Sequence, residues 1–550
     1  MRQIEQQNLQ HHHLKPHRGA RYFELALIFL LFFTLGGAPA PHVNETQYLA
    51  KAKHYWDASY CPGDSFLDTA DAHLVFYWTV GWLTRIFSLE TTAWVGRIAA
   101  WLLLAFGWQR LAWQIAPSRW AAPLAAALFP ALIYWGNFAG EWVIGGIEGK
   151  CFAYGFFLLG MTAMVQSRWT ATWIWLGVAS AFHPLVGGWA VLGSLFVLLT
   201  VERAARPSFR EASIGLCLGG LLALPGLVPT LLLNSGTPTA EQHEAARIYV
   251  FERLPHHLAM LELDPKELSW KAMRFSWLLA AMLGVWLAVN RGKDETKGDI
   301  VNGKEGVTQR EGLRCLVVFA AFSVGMSLVG AGLELLLRNQ PDQGASLLRY
   351  YWFRQADVAV PLATAMGVAL LAGQLSRRIA DESPARSSPS WLSSCVVLAA
   401  MFTAGWHLVG SVGDRWKNPK PPGARQMATL EDWQDACDWI REETPPDAIF
   451  LVDRQAQSFK WYAARGDVAN WKDIPQDAVG IIDWYARCRN VYNPGGSERA
   501  VGTLANQARH RIPTLARDHR ATHAITRNSP NLRLPVVYEN ATYAVYKLDR

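Results

Sequence analysis

The 550-residue sequence has no cysteine or histidine motif of the kind that binds zinc or builds a disulfide framework. Its seven cysteines are scattered, several of them within apolar runs, and none belongs to a Cys-x-x-Cys pair. Neither a zinc site nor a disulfide scaffold is therefore predicted. The sequence also lacks an internal repeat and the inverted halves that are common in transporters.

Hydrophobic residues make up 51% of the chain and include 26 tryptophans. The mean hydropathy of +0.07 is too low for a chain that lies wholly in lipid, and it is high for a soluble enzyme. This combination predicts a multi-pass membrane protein with a substantial polar domain. The net charge of +7 does not indicate nucleic-acid binding, because much of the basic excess lies in the N-terminal tail and in short loops between apolar segments.

Apolar segments of about 20 residues predict membrane-spanning helices. We expect residues 22–35 to form an uncleaved first span rather than a signal peptide cleaved near residues 38–40. Segment 73–89 is apolar but short, so it is either an interfacial helix or a span. The other spans are predicted at residues 93–112, 120–137, 150–166, 171–183, 185–201, 212–233, 273–290, 313–336, 357–375 and 390–411. With 73–89 interfacial, the count is about 11.

The basic loops orient this membrane domain, residues 22–411, with the N-terminal tail 1–21 in the cytoplasm. The opposite, outer face then receives a long first loop, residues 39–92, in which Leu49, Ala52 and Trp56 predict an interfacial helix. It also receives residues 137–149, 234–271 and 338–356, and everything after residue 412.

Residues 412–425 are rich in proline and are interpreted as a linker, and residues 426–550 as a soluble α/β domain. Trp433, Ala436, Cys437 and Ile440 give the apolar stripe of a helix. A buried strand at 448–452 and a closing hairpin after residue 533 complete the pattern.

Residues 39–71 of the first loop carry five acidic residues, Glu45, Asp57, Asp64, Asp68 and Asp71. A carboxylate just after the first span is suited to act as a general base on an acceptor hydroxyl or to hold a divalent cation. The alternative for Glu45 is a solvated loop acid or the first residue of a helix capped by Asn44. The aspartates are weaker candidates, since aspartate is common in turns.

Residues 140–154 place Glu141, Glu148 and Lys150 between two strongly apolar runs. Charges at that depth are costly unless they pair or line a wet cavity, which makes them candidates for a site. Glu148 and Lys150 are two positions apart, so they would not face each other in a continuous helix. The alternative interpretation is a cluster that snorkels to the interface.

Cationic and histidine side chains follow in three further segments. His183 precedes Pro184 between two short spans, where a broken helix is tolerated if it lines a cavity; the alternative is a turn with a satisfied histidine. Residues 247–257 supply Arg253, His256 and His257, and the loop 338–356 supplies Arg349 and Arg354, all of them suited to a phosphate group. The alternative for each arginine is a lipid head-group contact.

The acidic first loop, the charged second loop and the outer-face C-terminal domain resemble the GT-C superfamily of integral-membrane glycosyltransferases, which use polyprenyl-phosphate sugars. Gly-Ile-Glu-Gly-Lys (146–150), Phe-His-Pro-Leu-Val-Gly (182–187) and Arg-Leu-Pro-His-His (253–257) are also similar to motifs of an uncharacterised bacterial multi-pass family, a domain of unknown function. The first loop has Asn-Glu where the superfamily has Asp-Glu, and the second loop has no Asp-x-Asp. These departures favour a mechanism without a metal.

The resemblance implies a GT-C-like bundle in the inner membrane with a periplasmic C-terminal domain. It implies transfer of a sugar from a polyprenyl-phosphate donor to an unknown acceptor, with Glu45 in the acidic position of the first loop and Glu141 or Glu148 in that of the second. Our hypothesis makes Glu45 the base and Glu148 a second catalytic residue that positions the sugar or Lys150. The donor phosphate would be held first by Lys150, Arg253, His256 and His257, with Glu141, His183, Arg349 and Arg354 as further binding residues. The rival hypothesis is a non-catalytic membrane protein, either a lipid or solute transporter or an assembly factor.

Overall fold

A computed structural model of the protein describes residues 18–118, 120–291, 308–380, 391–493, 502–507 and 510–548. Within these residues the chain is mainly α-helical and ends in a domain with a small sheet. The predicted fold class, a bundle of apolar helices followed by an α/β domain, is therefore confirmed.

The bundle and its loops contain helices that we number in chain order. They are α1 (Arg18–Gly36), α2 (Glu45–Trp56), α3 (Leu74–Trp78), α4 (Leu89–Ile115), α5 (Ala121–Gly136), α6 (Gly149–Val165), α7 (Trp169–Phe182), α8 (Pro184–Thr200), α9 (Phe209–Leu232), α10 (Thr239–Arg247), α11 (Pro255–Leu258), α12 (Pro265–Arg291), α13 (Gln309–Leu336), α14 (Pro341–Leu348), α15 (Arg354–Ala380) and α16 (Trp391–Lys417). A π-helical turn, Ile248–Arg253, joins α10 to α11.

Among the described residues, seven helices are long and apolar enough to cross a membrane, namely α1, α4, α9, α12, α13, α15 and α16. The chain is therefore an integral membrane protein. Three shorter apolar helices, α5, α6 and α8, and the 14-residue α7 coincide with the remaining predicted spans. The count of about 11 spans stays a prediction, and so does the membrane orientation. Helix α15 is the most deeply buried of the long helices and forms the centre of the bundle.

The first loop forms no span. Segment 73–89 folds as the five-residue helix α3 and a 3₁₀ turn, Gly81–Arg85, each far too short to cross a bilayer. Helix α2 is present as predicted, but Leu49 and Ala52 are fully buried in an apolar cluster that the loop forms with residues of α4 and α6. This face therefore packs against protein, and the interfacial position of the helix stays a prediction.

The C-terminal domain contains α17 (Leu430–Glu443), α18 (Phe459–Ala463), α19 (Ala478–Tyr492) and α20 (Arg511–His519). The predicted stripe of α17 is buried as expected. The strands are β1 (Ile449–Leu451), β2 (Gly466–Asp467), β3 (His523–Arg527), β4 (Val536–Glu539) and β5 (Tyr543–Lys547), in the sheet order β2-β1-β3-β5-β4. Strands β2, β1 and β3 are parallel, whereas β4 and β5 form the predicted hairpin.

This domain docks on the first loop and on the segment after α9. The Tyr60 hydroxyl donates to the Lys460 carbonyl at 2.6 Å, and the Asp467 amide donates to Asp64 at 2.9 Å. The Ala478 amide donates to the Asn234 side chain at 2.8 Å. The C-terminal domain, the first loop and this segment therefore lie at the same end of the bundle. Helix α16 continues to Lys417, inside the predicted linker 412–425, and the domain boundaries stay predictions.

Candidate active site

The second loop, residues 137–148, is shaped by a buried carboxylate from α15. Asp357 accepts hydrogen bonds from the backbone amides of Phe138 at 2.7 Å, Ala139 at 2.8 Å and Glu141 at 3.3 Å. From the other side, the His257 ring contacts the Ala139 carbonyl at 2.5 Å. These bonds satisfy an irregular backbone in a buried place, which such a loop requires. These bonds fix the backbone position of Glu141.

The charged residues of this loop form one buried network. Lys150 Nζ lies 2.7 Å from Glu141 Oε1 and 3.1 Å from Glu148 Oε1. Arg354 Nε lies 3.3 Å from Glu141 Oε2. Lys150 also lies over the Trp142 ring, 4.0 Å from its centroid. Glu141, Glu148 and Lys150 are all buried, so the snorkelling interpretation is wrong.

Glu148 and Lys150 meet because the helix begins between them. Glu148 is the N-cap residue of α6 and has an extended backbone, with φ −154° and ψ 171°. In a continuous helix, side chains two positions apart point in different directions. Because the backbone of Glu148 is extended, its side chain can point towards Lys150. The spacing argument assumed a continuous helix and missed this contact.

Asn44 links this network to the C-terminal domain. Its amide nitrogen donates to Glu148 Oε2 at 2.9 Å, and its amide oxygen accepts from Lys472 Nζ at 2.7 Å. Asn44 stands at the N-cap of α2, but its side chain makes no capping bond, so its predicted capping role is wrong. The two bonds orient the amide, because its oxygen faces the lysine and its nitrogen faces the carboxylate.

Glu45 is held in a closed ion pair with Arg97 of α4. Arg97 Nε donates to Oε1 at 2.6 Å and Nη2 donates to Oε2 at 2.5 Å. The amides of Ile147 and His42 donate to the same two oxygens at 2.8 and 2.6 Å. Both charged side chains are fully buried. Four donors occupy the acceptor positions of Glu45, and the guanidinium stands where a cation would bind. In this arrangement Glu45 has a structural part, as half of a buried ion pair. Its roles as a base and as a cation ligand stay predictions.

Three predicted histidines lie around the network. His183 accepts a hydrogen bond from the Val186 amide at 3.3 Å and so caps α8, as its structural alternative expected. It is also an electrostatic neighbour of Glu141. His256 stacks on His257, with ring centroids 4.1 Å apart. Burial, followed by repulsion from Arg253, lowers the pKa of His256 to about 4, so the imidazole is neutral at pH 7.

The three arginines predicted to bind phosphate lie in three different parts of the structure. Arg354 belongs to the buried network and lies over the Tyr351 ring at 3.8 Å. Arg253 donates instead to the Trp471 carbonyl of the C-terminal domain at 3.0 Å. Arg349 lines a small pocket with Tyr249 and Ala478. Their phosphate-binding roles stay predictions.

The aspartates of the first loop have structural partners. Asp57 binds Ser59 in a turn, Asp68 lies 3.1 Å from His54, and Asp71 lies 3.8 Å from Lys51. Asp64 faces Lys460 of the C-terminal domain at 3.1 Å. Across the described part of the chain, no group of three or more His, Cys, Asp or Glu side chains is arranged to hold a metal ion.

Glu141 lies in the second loop, at the centre of the network, and its charged neighbours favour the ionised form of its carboxyl group. Burial raises the pKa of Glu141, but the charges of Lys150 and Arg354 outweigh it, and the net pKa lies below its ordinary value. The network therefore contains a carboxylate that stays charged in a buried setting. This anion keeps Lys150 and Arg354 close together.

Replacing Gly140 by alanine should disrupt the second loop. Gly140 has φ +75°, and an added Cβ would lie 2.7 Å from the His257 ring. We expect a loss of stability of about 2–4 kcal/mol, from left-handed backbone strain plus displacement of the ring. Thermal unfolding in detergent measures it. Gly236→Ala is the matched control, because Gly236 has φ +83° with open space around it. Equal losses in the two variants would contradict the steric role of His257.

The sequence interpretation missed Arg97, Lys472 and Asp357. Arg97 and Asp357 are charged residues within predicted spans, and that rarity is a signal that could have identified them. Lys472 gave no signal, because a lysine in a polar domain is ordinary.

The chain was compared with known proteins. A family described as a domain of unknown function (DUF6798) matches residues 431–491. No curated protein matches the chain. Among solved structures, the crystal structure of ArnT from Cupriavidus metallidurans in the apo state is similar, with 13% sequence identity and a TM-score of 0.46. That similarity covers 95% of this chain and 97% of the ArnT chain.

Proposed function

We propose that this protein is an integral-membrane glycosyltransferase of the GT-C type. It would move a sugar from a polyprenyl-phosphate donor to an acceptor hydroxyl at the end of the bundle that carries the C-terminal domain. The observation that carries the proposal is the buried network of Glu148, Lys150, Glu141 and Arg354. Ionisable side chains that pair with one another and are buried beside apolar helices are typical of functional sites in membrane proteins.

Glu148 is the general base in this proposal. Its Oε2 accepts from Asn44, whereas its Oε1 lies near Lys150 without a hydrogen bond of good geometry. Oε1 therefore has acceptor capacity for a substrate hydroxyl, which the fully bonded Glu45 does not have. Glu148 would take the proton of the acceptor hydroxyl while the oxygen of that hydroxyl forms a bond to the anomeric carbon.

Lys150 and Arg354 stabilise the leaving group. As the bond between the anomeric carbon and the phosphate oxygen breaks, the polyprenyl phosphate departs with the electron pair. Cations fixed beforehand in a buried site stabilise that developing charge more strongly than water would. Glu141 holds both cations in place, at 2.7 Å from Lys150 and 3.3 Å from Arg354.

The first loop and the C-terminal domain position the base. Glu45 and Arg97 anchor the start of α2, so that Asn44 reaches Glu148. Lys472 completes the arrangement from the C-terminal domain. A docked C-terminal domain is therefore part of the active arrangement in this proposal.

Purified protein in lipid nanodiscs tests the proposal with a panel of labelled polyprenyl-phosphate sugars and a membrane lipid extract as the acceptor source. We expect one donor to lose its sugar and release polyprenyl phosphate only when the protein is present. Binding of donors without consumption of any of them would contradict the proposal. Movement of intact donor or solute across reconstituted vesicles would support the rival transporter hypothesis instead.

A further inference from the structure

Two basic residues lie at the carboxyl edge of the parallel strands in the C-terminal domain. Arg454 follows β1, and Lys472 follows β2. The backbone joins the two strand ends, because the Trp471 amide donates to the Arg454 carbonyl at 2.9 Å. Arg454 and Lys472 are therefore brought to the same edge of the sheet.

The membrane domain adds a third cation to the same place. Arg253 donates to the Trp471 carbonyl at 3.0 Å, and its guanidinium lies 5.6 Å from the centroid of the Trp471 ring. The Arg454 guanidinium lies 4.1 Å from that centroid. Lys472 is the next residue in the chain. Arg253, Arg454 and Lys472 therefore gather around one tryptophan, and we name them the Trp471 cation cluster.

In the part of the chain that the structure describes, the three cations of this cluster form no ion pairs. Within the described residues, no carboxylate lies in salt-bridge range of any of the three cations. The carboxylates that influence Lys472 are Glu148 and Asp473, and each is paired with another lysine, Lys150 at 3.1 Å and Lys460 at 2.8 Å. Like charges held together without counter-charges are costly, and a bound anion would remove that cost.

The titration of Lys472 agrees with this geometry. Burial lowers its pKa to about 8, and repulsion from Arg253 and Lys150 adds to the effect against the attraction of Glu148 and Asp473. Its ammonium would be stabilised by a neighbouring anion.

We propose that the Trp471 cation cluster binds a phosphate group, with cations other than Lys150 and Arg354. Arginine guanidinium groups suit this ligand because they donate two parallel hydrogen bonds to phosphate oxygens. The site goes beyond the proposed function, since binding there requires no sugar transfer. The phosphate is carried by a lipid or is free in solution, and the two sources are separated by experiment.

Calorimetry with inorganic phosphate and the purified full chain tests the site. Arg454→Gln should weaken binding about tenfold or more, because it removes hydrogen bonds to a charged group. Arg487→Gln is the matched control, since Arg487 lies in the same domain and pairs with Asp483. It should bind as the wild type does. Equal affinity of Arg454→Gln and wild type would overturn the proposal. Arg454→Lys, which keeps the charge, should restore part of the affinity if the glutamine variant folds poorly.

The pH dependence gives a test without substitutions. Sulfate keeps its charge near neutral pH, so its affinity should fall as the pH rises through about 8 and Lys472 loses its proton. An affinity that stays constant through this range would contradict the assignment of Lys472 to the site.

Vesicles identify the source of the phosphate. Binding to polyprenyl-phosphate vesicles that Arg454→Gln weakens would assign the site to the polyprenyl phosphate, and the same result with phosphatidylglycerol alone would assign it to a lipid head group. Weakened binding of inorganic phosphate, with vesicle binding unchanged, would assign it to a free anion. Phosphate binding without sugar transfer would leave this site standing while the proposed function fails.

Discussion

Glu148→Gln should lower the rate of sugar transfer by about a hundredfold to ten-thousandfold, the usual loss when a general base is removed. In the wild type, Asn44 donates a hydrogen bond to Glu148 at 2.9 Å. The glutamine keeps the size of the side chain and an amide oxygen that can accept this bond. It removes the negative charge that lies 3.1 Å from Lys150 and that takes up the proton in the proposed function. The measurement is the release of polyprenyl phosphate from the active donor, at equal amounts of folded protein.

Glu90→Gln is the matched control for this variant. Glu90 lies in the first turn of α4 and is exposed, so the same chemical change there should leave the rate unchanged. Thermal unfolding and gel filtration establish that both variants are folded. If Glu148→Gln retained wild-type transfer, Glu148 could not be the base. If it lost activity only because it unfolded, its melting temperature would fall together with the rate.

The sequence predicted the membrane bundle well because its signals are local. Apolar runs of sufficient length form helices in a bilayer whatever they pack against. The stripe of Trp433, Ala436, Cys437 and Ile440 likewise predicted the buried face of α17. These features need no knowledge of distant residues.

The partners of the charged residues were harder to predict. Lys472 and Asn44 are 428 residues apart, and only the docking of the C-terminal domain brings them together. Glu148 and Lys150 are close in sequence, but their contact depends on the start of α6 at Gly149. A shift of this helix boundary by two residues decides whether the two side chains are predicted to meet. Helix boundaries are the weakest part of a sequence interpretation.

Glu45 shows the limit most clearly. The first loop stood out in the sequence, but an acid in a suitable position gives no indication of which donors surround it. Arg97 turns Glu45 into half of an ion pair, and it lies 52 positions away in the next long helix. In the proposed function the general base is therefore Glu148, whose buried Oε1 has no hydrogen-bond partner among the described residues.

Arg97→Met should destabilise the protein by about 3–5 kcal/mol, because it leaves the Glu45 carboxylate buried without its counter-charge. Arg97 and Glu45 have no solvent exposure, so water cannot replace the lost bonds. The first loop would be the first part to loosen. Thermal unfolding in detergent measures the loss, and the reaction rate of Cys151, a buried thiol beside this pair, reports the opening of the loop.

Arg110→Met separates this effect from the loss of any arginine on α4. Arg110 is an exposed arginine on the same helix, packed on Phe106, so its replacement should change stability little.

Adding Glu45→Gln to Arg97→Met should recover part of the loss, since the uncompensated charge is then gone. A double variant as unstable as the sum of the two single variants would show that the residues act independently. Glu45→Gln alone should lower stability and leave the transfer rate of the folded fraction largely unchanged, whereas a general base in that position would lose the rate first.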